Sequence, residues 1–142
     1  MDSITYTGRT WAHDLPIKTT TGVRKKKTTY INLNLYRNAV GMVINNQKKA
    51  FKALIIEDFK KTFADDTFER CVLEYRLFLP DKRGRDVANV CSIIDKFYSD
   101  VLVTEGKIED DNYKFIPKVT YMLGGTDETG EGYVTVTVRE ID

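Results

Sequence analysis

The alternation of residues 133–141 (YVTVTVREI) is the feature that most constrains what this chain can fold into. Apolar side chains recur at every second position, which predicts a strand with one face in a core. Residues 68–79 follow the same period, and one face of that predicted strand consists of Cys71, Leu73, Tyr75, Leu77 and Leu79. Further strands are predicted at residues 28–35 and 113–123.

Two other segments show the helical period. In residues 40–63, apolar side chains recur at three- and four-residue steps and form one stripe. A second helix is predicted at residues 87–104, with Asp86 as its N-cap and Gly106 as its C-terminal stop. The order strand, helix, strand, helix, strand, strand indicates an α/β (mixed α+β) fold, in which the helices pack on a mixed sheet.

The 142 residues are enough for a single domain spanning residues 1–142. Residues 1–27 are polar and weakly periodic, so we interpret them as a flexible or partner-contacting arm. No apolar run is long enough to span a membrane, and no secretory signal is recognised. Cys71 and Cys91 fit neither a zinc motif nor a disulfide framework. A cytoplasmic protein with reduced thiols is expected.

Charge is balanced overall but unevenly distributed, with a formal net charge of +1. Basic residues cluster at positions 24–27, 48–49, 60–61 and 82–85, and acidic residues cluster at positions 65–66, 109–111 and 127–131. The total gives no support for a nucleic-acid partner. The distribution fits either two solvated faces or a basic face beside an acidic site.

The residue types that are scarce exclude several kinds of site. His13 is the only histidine and lies in the polar arm, so a triad base or a histidine metal site is not expected. The glycines at positions 124–132 do not lie between a strand and a helix, so they indicate a hairpin turn rather than a phosphate loop.

Carboxylates around the second predicted helix are the more informative group. Asp86 opens the helix, and Asp111 lies in the loop after it. If the next strand returns beside the start of the helix, the two carboxylates converge and could bind Mg²⁺, which prefers oxygen ligands. Lys96 could then offset phosphate charge. Alternatively, Asp86 is only a cap, the acids at 110–111 only form a turn, and Lys96 with Asp100 is only a surface pair.

Two stretches of the sequence carry recognisable motifs. The first is residues 28–38 (TTYINLNLYRN), which are followed by a lysine-rich helix. The second is residues 83–116 (RGRDVANVCSIIDKFYSDVLVTEGKIEDDNYKFI). The first stretch resembles the opening of the RusA-like family of phage-type Holliday-junction resolvases. The second is similar to the core of that family, which has an RD-x-DN start, a helix lysine, a glycine and a closing DD. The resemblance covers the ordered elements between residues 30 and 116.

The resemblance implies roles for individual residues. Asp86 matches the first acid of the RD-x-DN motif, and Asn89 matches its asparagine. Asp111 matches the metal-ligating second acid of the closing DD. Lys96 matches the helix lysine if the chain has one extra helical turn, and that shift also aligns Asp100 and Gly106.

One position departs from the family pattern. The acid two residues after the first is replaced here by Ala88, so one ligand of the usual set is missing. Asp95, Glu109 and Asp110 are the alternative ligands. Asp95 points about 100° away from Lys96 on an ideal helix. Ala88 is also compatible with a weakened or inactive enzyme, or with a substitution introduced by engineering.

The implied activity is metal-dependent hydrolysis of four-way DNA junctions with Mg²⁺, or Mn²⁺, by a homodimer in the cytoplasm of a bacterium or phage-infected cell. Two symmetric cuts require two active sites related by a two-fold axis. The residues expected to contact DNA phosphates are Lys25, Lys26, Lys27, Arg37, Lys82, Arg83 and Arg85. A junction-binding protein without nuclease activity and a structural module without a DNA role are the alternatives.

Overall fold

A computed structural model describes residues 3–142. Its helices and strands are β1 Tyr6–Pro16, β2 Lys18–Thr21, β3 Lys27–Tyr30, α1 Leu33–Asn38, α2 Gly41–Phe63, β4 Arg70–Leu79, α3 Val87–Thr104, β5 Val119–Thr126 and β6 Tyr133–Ile141. The predicted mixed α+β class is confirmed, with three helices beside a four-stranded sheet and a two-stranded one.

The main sheet has the strand order β1-β6-β4-β5. β6 pairs antiparallel with both β1 and β4, whereas β4 and β5 are parallel. Parallel neighbours need a crossover connection, and α3 supplies it between β4 and β5. This connection sets α3 beside the two strands that provide the polar groups of the candidate site.

The core lies between the main sheet and the long helices. β4 buries Cys71, Leu73, Tyr75 and Leu77, as its alternation predicts, and α3 buries Val90, Ile94, Phe97, Val101 and Leu102 on the predicted side. The apolar stripe predicted for residues 40–63 is only partly buried, because Val40, Val43 and Leu54 are exposed. Its buried members are Gln47, Phe51, Ile55, Phe59 and Phe63.

The expectation of a loose arm at residues 1–27 is wrong for the described part of that segment. β1 forms an edge of the main sheet, and β2 pairs with β3 in a hairpin beside α2. Trp11 is 7% exposed and packs between Phe63 and Phe68, with ring centroids 5.5 and 5.0 Å away. The segment is held by apolar burial and by pairing with β6, which lies at the other end of the chain.

His13 is therefore a core residue of β1. Its Nδ1 lies 3.0 Å from the Asp58 carboxylate on α2, and its Nε2 lies 2.7 Å from the Tyr98 hydroxyl on α3. Burial lowers the pKa of His13 and outweighs the opposing effect of Asp58. The neutral imidazole thus connects β1 to both long helices.

Two predicted strands have different bounds in the structure. The strand predicted at 28–35 ends at Tyr30, because Asn32 caps α1 by accepting a hydrogen bond from the Leu35 N–H at 2.8 Å. The strand predicted at 113–123 begins only at Val119, after a turn in which Phe115 N–H donates to Asn112.

Candidate active site

Asp95 lies in the middle of α3 and points toward β4 and β5. The Tyr75 hydroxyl donates to Asp95 Oδ1 at 2.8 Å, and the Tyr121 hydroxyl donates to Oδ2 at 3.2 Å. The two tyrosines are register partners across the parallel β4–β5 pair. One carboxylate is therefore fixed by one hydrogen bond on each oxygen.

The pKa of Asp95 is raised above its usual value of 3.8. Burial is the largest cause, because it disfavours the charged form. The hydrogen bonds from Tyr75 and Tyr121 lower the pKa, the charge of Asp111 raises it, and the charge of Lys96 lowers it. The pKa of Asp95 thus depends on the charges of both Asp111 and Lys96, as expected for side chains that share one site.

Asp95 and its two charged neighbours, Lys96 and Asp111, line one polar cleft of about 350 Å³. Asp95, Lys96 and Asp100 come from α3, and Asp111 comes from the loop after it. Tyr36 of α1 and Lys48 of α2 complete the polar lining. Five segments of the chain therefore converge at this cleft, namely α1, α2, α3, the loop after α3, and the start of β5 at Val119.

The basic groups of the cleft have distinct contacts. Lys96 is exposed, and its ammonium lies 5.8 Å from the centre of the Tyr36 ring. Lys48 forms an ion pair of 3.1 Å with Asp100, and both side chains are about two-fifths exposed. Of the two cations, Lys96 is consequently the one that is not held by a carboxylate of residues 3–142.

The acids next to Asp111 have other surroundings. Asp110 accepts hydrogen bonds from the Asp111 N–H at 2.7 Å and from the Asn112 amide at 2.9 Å, so its carboxylate stabilises the turn. Glu109 is exposed and does not line the cleft. Asp110 and Glu109 therefore do not line the cleft that contains Asp95 and Asp111.

Asp86 does not meet Asp111. It caps α3 as predicted, with Oδ1 accepting from the Ala88 N–H at 3.0 Å, and it lines a separate cleft together with Asn89. Nine residues of α3 separate Asp86 from Asp95, which is a rise of about 13 Å. The expected convergence required Asp111 to lie beside the start of α3. Asp111 instead precedes β5 and lies beside the later part of the helix, with Asp95 and Asp100.

A hard divalent cation is compatible with Asp95 and Asp111. Mg²⁺ commonly binds through one or two carboxylates and keeps several waters or substrate oxygens. Each Asp95 oxygen accepts one tyrosine hydroxyl and has a further lone pair available. Within residues 3–142, however, no three His, Cys, Asp or Glu side chains form a group that could hold a metal ion by themselves.

The residues predicted to contact DNA belong to three separate segments of the chain. Lys25 and Lys26 lie in the exposed turn between β2 and β3, and Lys27 begins β3. Arg37 lies in the last turn of α1. Three further basic side chains belong to the loop before α3, where Lys82 and Arg83 are exposed and Arg85 is half-buried.

The sequence interpretation missed Tyr75 and Tyr121 as members of the site. A tyrosine on the buried face of a strand signals that its hydroxyl needs a polar partner. Tyr75 showed this signal, because it alternates with Leu73 and Leu77. Which carboxylate it meets depends on how α3 packs on β4, and periodicity does not supply that information.

No protein-family model matches the sequence, and no curated protein matches it. Among the described residues, no helix combines the length and the apolar character required to cross a membrane.

Proposed function

We propose that this protein is a metal-dependent endonuclease that cuts branched DNA, with the four-way junction as its substrate. The observation that carries the proposal is the cleft in which Asp95, Asp111 and Lys96 lie together. The resemblance of residues 83–116 to RusA-like resolvases supports the same conclusion, because Lys96 and Asp111 are matched positions. In metal-dependent phosphodiester hydrolysis, carboxylates hold the metal ion and a cationic side chain offsets the charge that develops on the phosphate.

Asp95 and Asp111 would hold Mg²⁺, or Mn²⁺ in its place. When bound, the ion would supply an activated water and would neutralise charge that develops on the phosphate. Tyr75 and Tyr121 orient the Asp95 carboxylate toward this task. Lys96 stabilises negative charge on the scissile phosphate or on the leaving oxygen. Asp100 keeps Lys48 at the edge of the cleft through their ion pair.

Phosphate contacts would provide most of the DNA affinity. The basic residues of the β2–β3 turn, of α1 and of the loop before α3 are suited to this role, since most of them are exposed and Arg85 lines the cleft at the start of α3. A homodimer would present two such sites related by a two-fold axis, which matches the symmetry of a four-way junction cut in opposing strands.

A cleavage assay on a labelled synthetic four-way junction tests the proposal. With Mg²⁺ or Mn²⁺ we expect paired symmetric cuts, little cutting of linear duplex, and no cutting in a chelator. Asp111→Asn should abolish cleavage, whereas Asp110→Asn is the matched control, because its carboxylate belongs to the turn. Junction that stays intact in both metals would refute the hydrolytic activity.

The Asp86→Asn variant distinguishes two possible reaction sites, which are the cleft with Asp95 and Asp111 and the RD-x-DN start at Asp86. Asparagine caps a helix as well as aspartate does, so the fold should be retained. Cleavage that survives Asp86→Asn but not Asp95→Asn supports the Asp95–Asp111 cleft as the reaction site. The reverse pattern would assign the chemistry to the RD-x-DN start, as the family resemblance alone implies.

A second candidate function is a branched-DNA-binding protein that does not cut. It is favoured by Ala88, which stands where the resemblance expects an acid, and by the lack of a three-carboxylate group within the described residues. This candidate predicts tight junction binding without cuts in any metal. Restoring the acid with Ala88→Asp would then be the next variant to assay.

A further inference from the structure

The cleft at the start of α3 has an apolar floor and a polar rim. It has a volume of about 170 Å³ and lies between β3, the residues that lead into α1, and α3. Ile17, Ile31 and Val90 form the floor and are 2%, 0% and 6% exposed. An apolar cavity with a few fixed polar groups is the usual form of a site for a small molecule.

Two asparagine amides on the rim have fixed orientations. Asn32 Oδ1 accepts from the Leu35 N–H at 2.8 Å, and Asn89 Oδ1 accepts from the Leu33 N–H at 3.2 Å. Because the carbonyl oxygens are engaged by the backbone of α1, the two NH₂ groups are the parts of these amides left to donate to a ligand.

Arg85 adds a third donor. Its guanidinium lies 4.9 Å from the centre of the Tyr30 ring, and its Nη2 donates to Asp81 at 3.0 Å. Its Nε is buried and has no hydrogen-bond partner among residues 3–142. An Arg guanidinium has five N–H donors, and the hydrogen bond to Asp81 uses one of them, so others are left to donate to a ligand.

Asp86 supplies an acceptor on the same rim. One of its oxygens caps α3, which leaves the other for a ligand donor. A bare phosphate fits this rim poorly, because the carboxylates of Asp86 and Asp81 accompany the single guanidinium. A nucleobase fits it well, because its edge carries donors and acceptors and its faces are apolar.

We propose that this cleft receives one unpaired nucleobase of a DNA strand. The inference rests on the proposed function, since the unpaired base would come from a base pair that opens at the branch point of the DNA. Asn32, Asn89 and Arg85 donate to the acceptors of the base, and Asp86 accepts from its donors. The base packs against the Tyr30 side chain and against the apolar floor of the cleft.

Binding of free deoxynucleosides to the full chain tests the cleft without any DNA junction. NMR spectra would follow the side-chain NH₂ signals of Asn32 and Asn89 during titration with the four uncharged deoxynucleosides. We expect saturable shifts with at least one of them, and no comparable shifts with inorganic phosphate. Phosphate that reproduces the shifts, or nucleosides that leave both amides unchanged, would overturn the proposal.

Arg85→Gln and Arg83→Gln form a matched pair, because both remove one positive charge from the same loop. Arg85 lines the cleft and its side chain is 22% exposed, whereas the Arg83 side chain is 83% exposed and lies outside the cleft. Nucleoside affinity should fall at least tenfold in Arg85→Gln and should be unchanged in Arg83→Gln. Equal affinities in the two variants would contradict the proposed role of the cleft.

A scan of abasic sites through a four-way junction then separates this inference from the proposed function. Removing one base near the branch point should weaken junction binding about tenfold at a single position, and Arg85→Gln should abolish that difference. If nucleosides bind but junctions are neither bound nor cut, the proposed function fails while the cleft remains a nucleobase site. If junctions are cut and no position is sensitive, the nucleobase proposal fails alone.

Discussion

Tyr75 lies directly opposite Tyr121 in the parallel pairing of β4 with β5, and their hydroxyls donate to different oxygens of the same carboxylate, Asp95. Two neutral hydrogen-bond donors, the tyrosine hydroxyls, thus hold the ionisable carboxyl group of Asp95 at the edge of the core. Its energetic consequences can be measured whether or not the protein cuts DNA.

Asp95→Asn should stabilise the fold at neutral pH. Burial raises the pKa of Asp95 above 3.8, so the folded chain holds that proton more tightly than the unfolded chain. Stability therefore falls as the pH rises from 3.8 through the raised pKa, and the loss persists at neutral pH. We expect the free energy of unfolding at pH 7 to be higher for the variant than for the wild type.

Chemical denaturation at pH 7 and near pH 3.5 would measure this gain, which should shrink in acid. Asp100→Asn is the control, because Asp100 is half-exposed and paired with Lys48. A gain of the same size at both pH values would argue against titration of Asp95 as its cause.

His13 should make the protein sensitive to mild acid. Burial lowers the pKa of His13 below 6.5, so its contribution to stability is present above pH 6.5 and is lost as the pH falls toward the lowered pKa. Unfolding by urea should show a decrease in the free energy of unfolding between pH 6.5 and 5.5, of at most about 1 kcal/mol. In His13→Gln this part of the pH dependence should be absent, and an unchanged profile would exclude His13 as its origin.

Trp11→Ala should destabilise the protein by about 3–5 kcal/mol, as expected for loss of a large aromatic side chain from a core. Trp11 packs on Phe63 and Phe68, and its indole N–H donates to Asp66 at 3.1 Å. Tyr6→Ala on the same strand is the control, because Tyr6 is 49% exposed. Thermal unfolding that is similar for both variants would show that β1 contributes little to the fold.

Lys25 and Lys26 should contribute to DNA affinity through phosphate contacts. If both lysines contact phosphates, replacing them with alanine should reduce the slope of log affinity against log salt by about 2. Fluorescence anisotropy with a labelled junction at several salt concentrations would measure the slope. Lys60 and Lys61, exposed in the last turn of α2, are the matched control pair. Equal slopes for both double variants would leave no specific role for the β2–β3 turn.

Local periodicity predicted much of the fold. α3 and β6 have the predicted bounds, and α2 differs from its prediction by one residue. β1 was missed because its pairing partner β6 is more than a hundred residues away, and because its three buried positions include a histidine. α1 was missed because its cap, Asn32, was interpreted as part of an alternating strand.

The candidate site was only partly predictable for a related reason. Asp95, Lys96, Asp100 and Asp111 were identified by residue type, and the cleft brings them together. The expected convergence of Asp86 with Asp111 did not occur, because their positions depend on the direction of α3 relative to β5. The tyrosines that hold Asp95 required the register of β4 against β5, which is a property of the assembled sheet.

α3 fixes the distance between the two clefts. Asn89, at one cleft, and Lys96, at the other, belong to the same uninterrupted helix, and seven residues of rise separate them by about 10 Å. In a stacked DNA strand that length corresponds to about three nucleotides. If both proposals hold, a strand lying along α3 is cut at a set number of nucleotides from the base in the first cleft, and a helical turn inserted into α3 would move the cut.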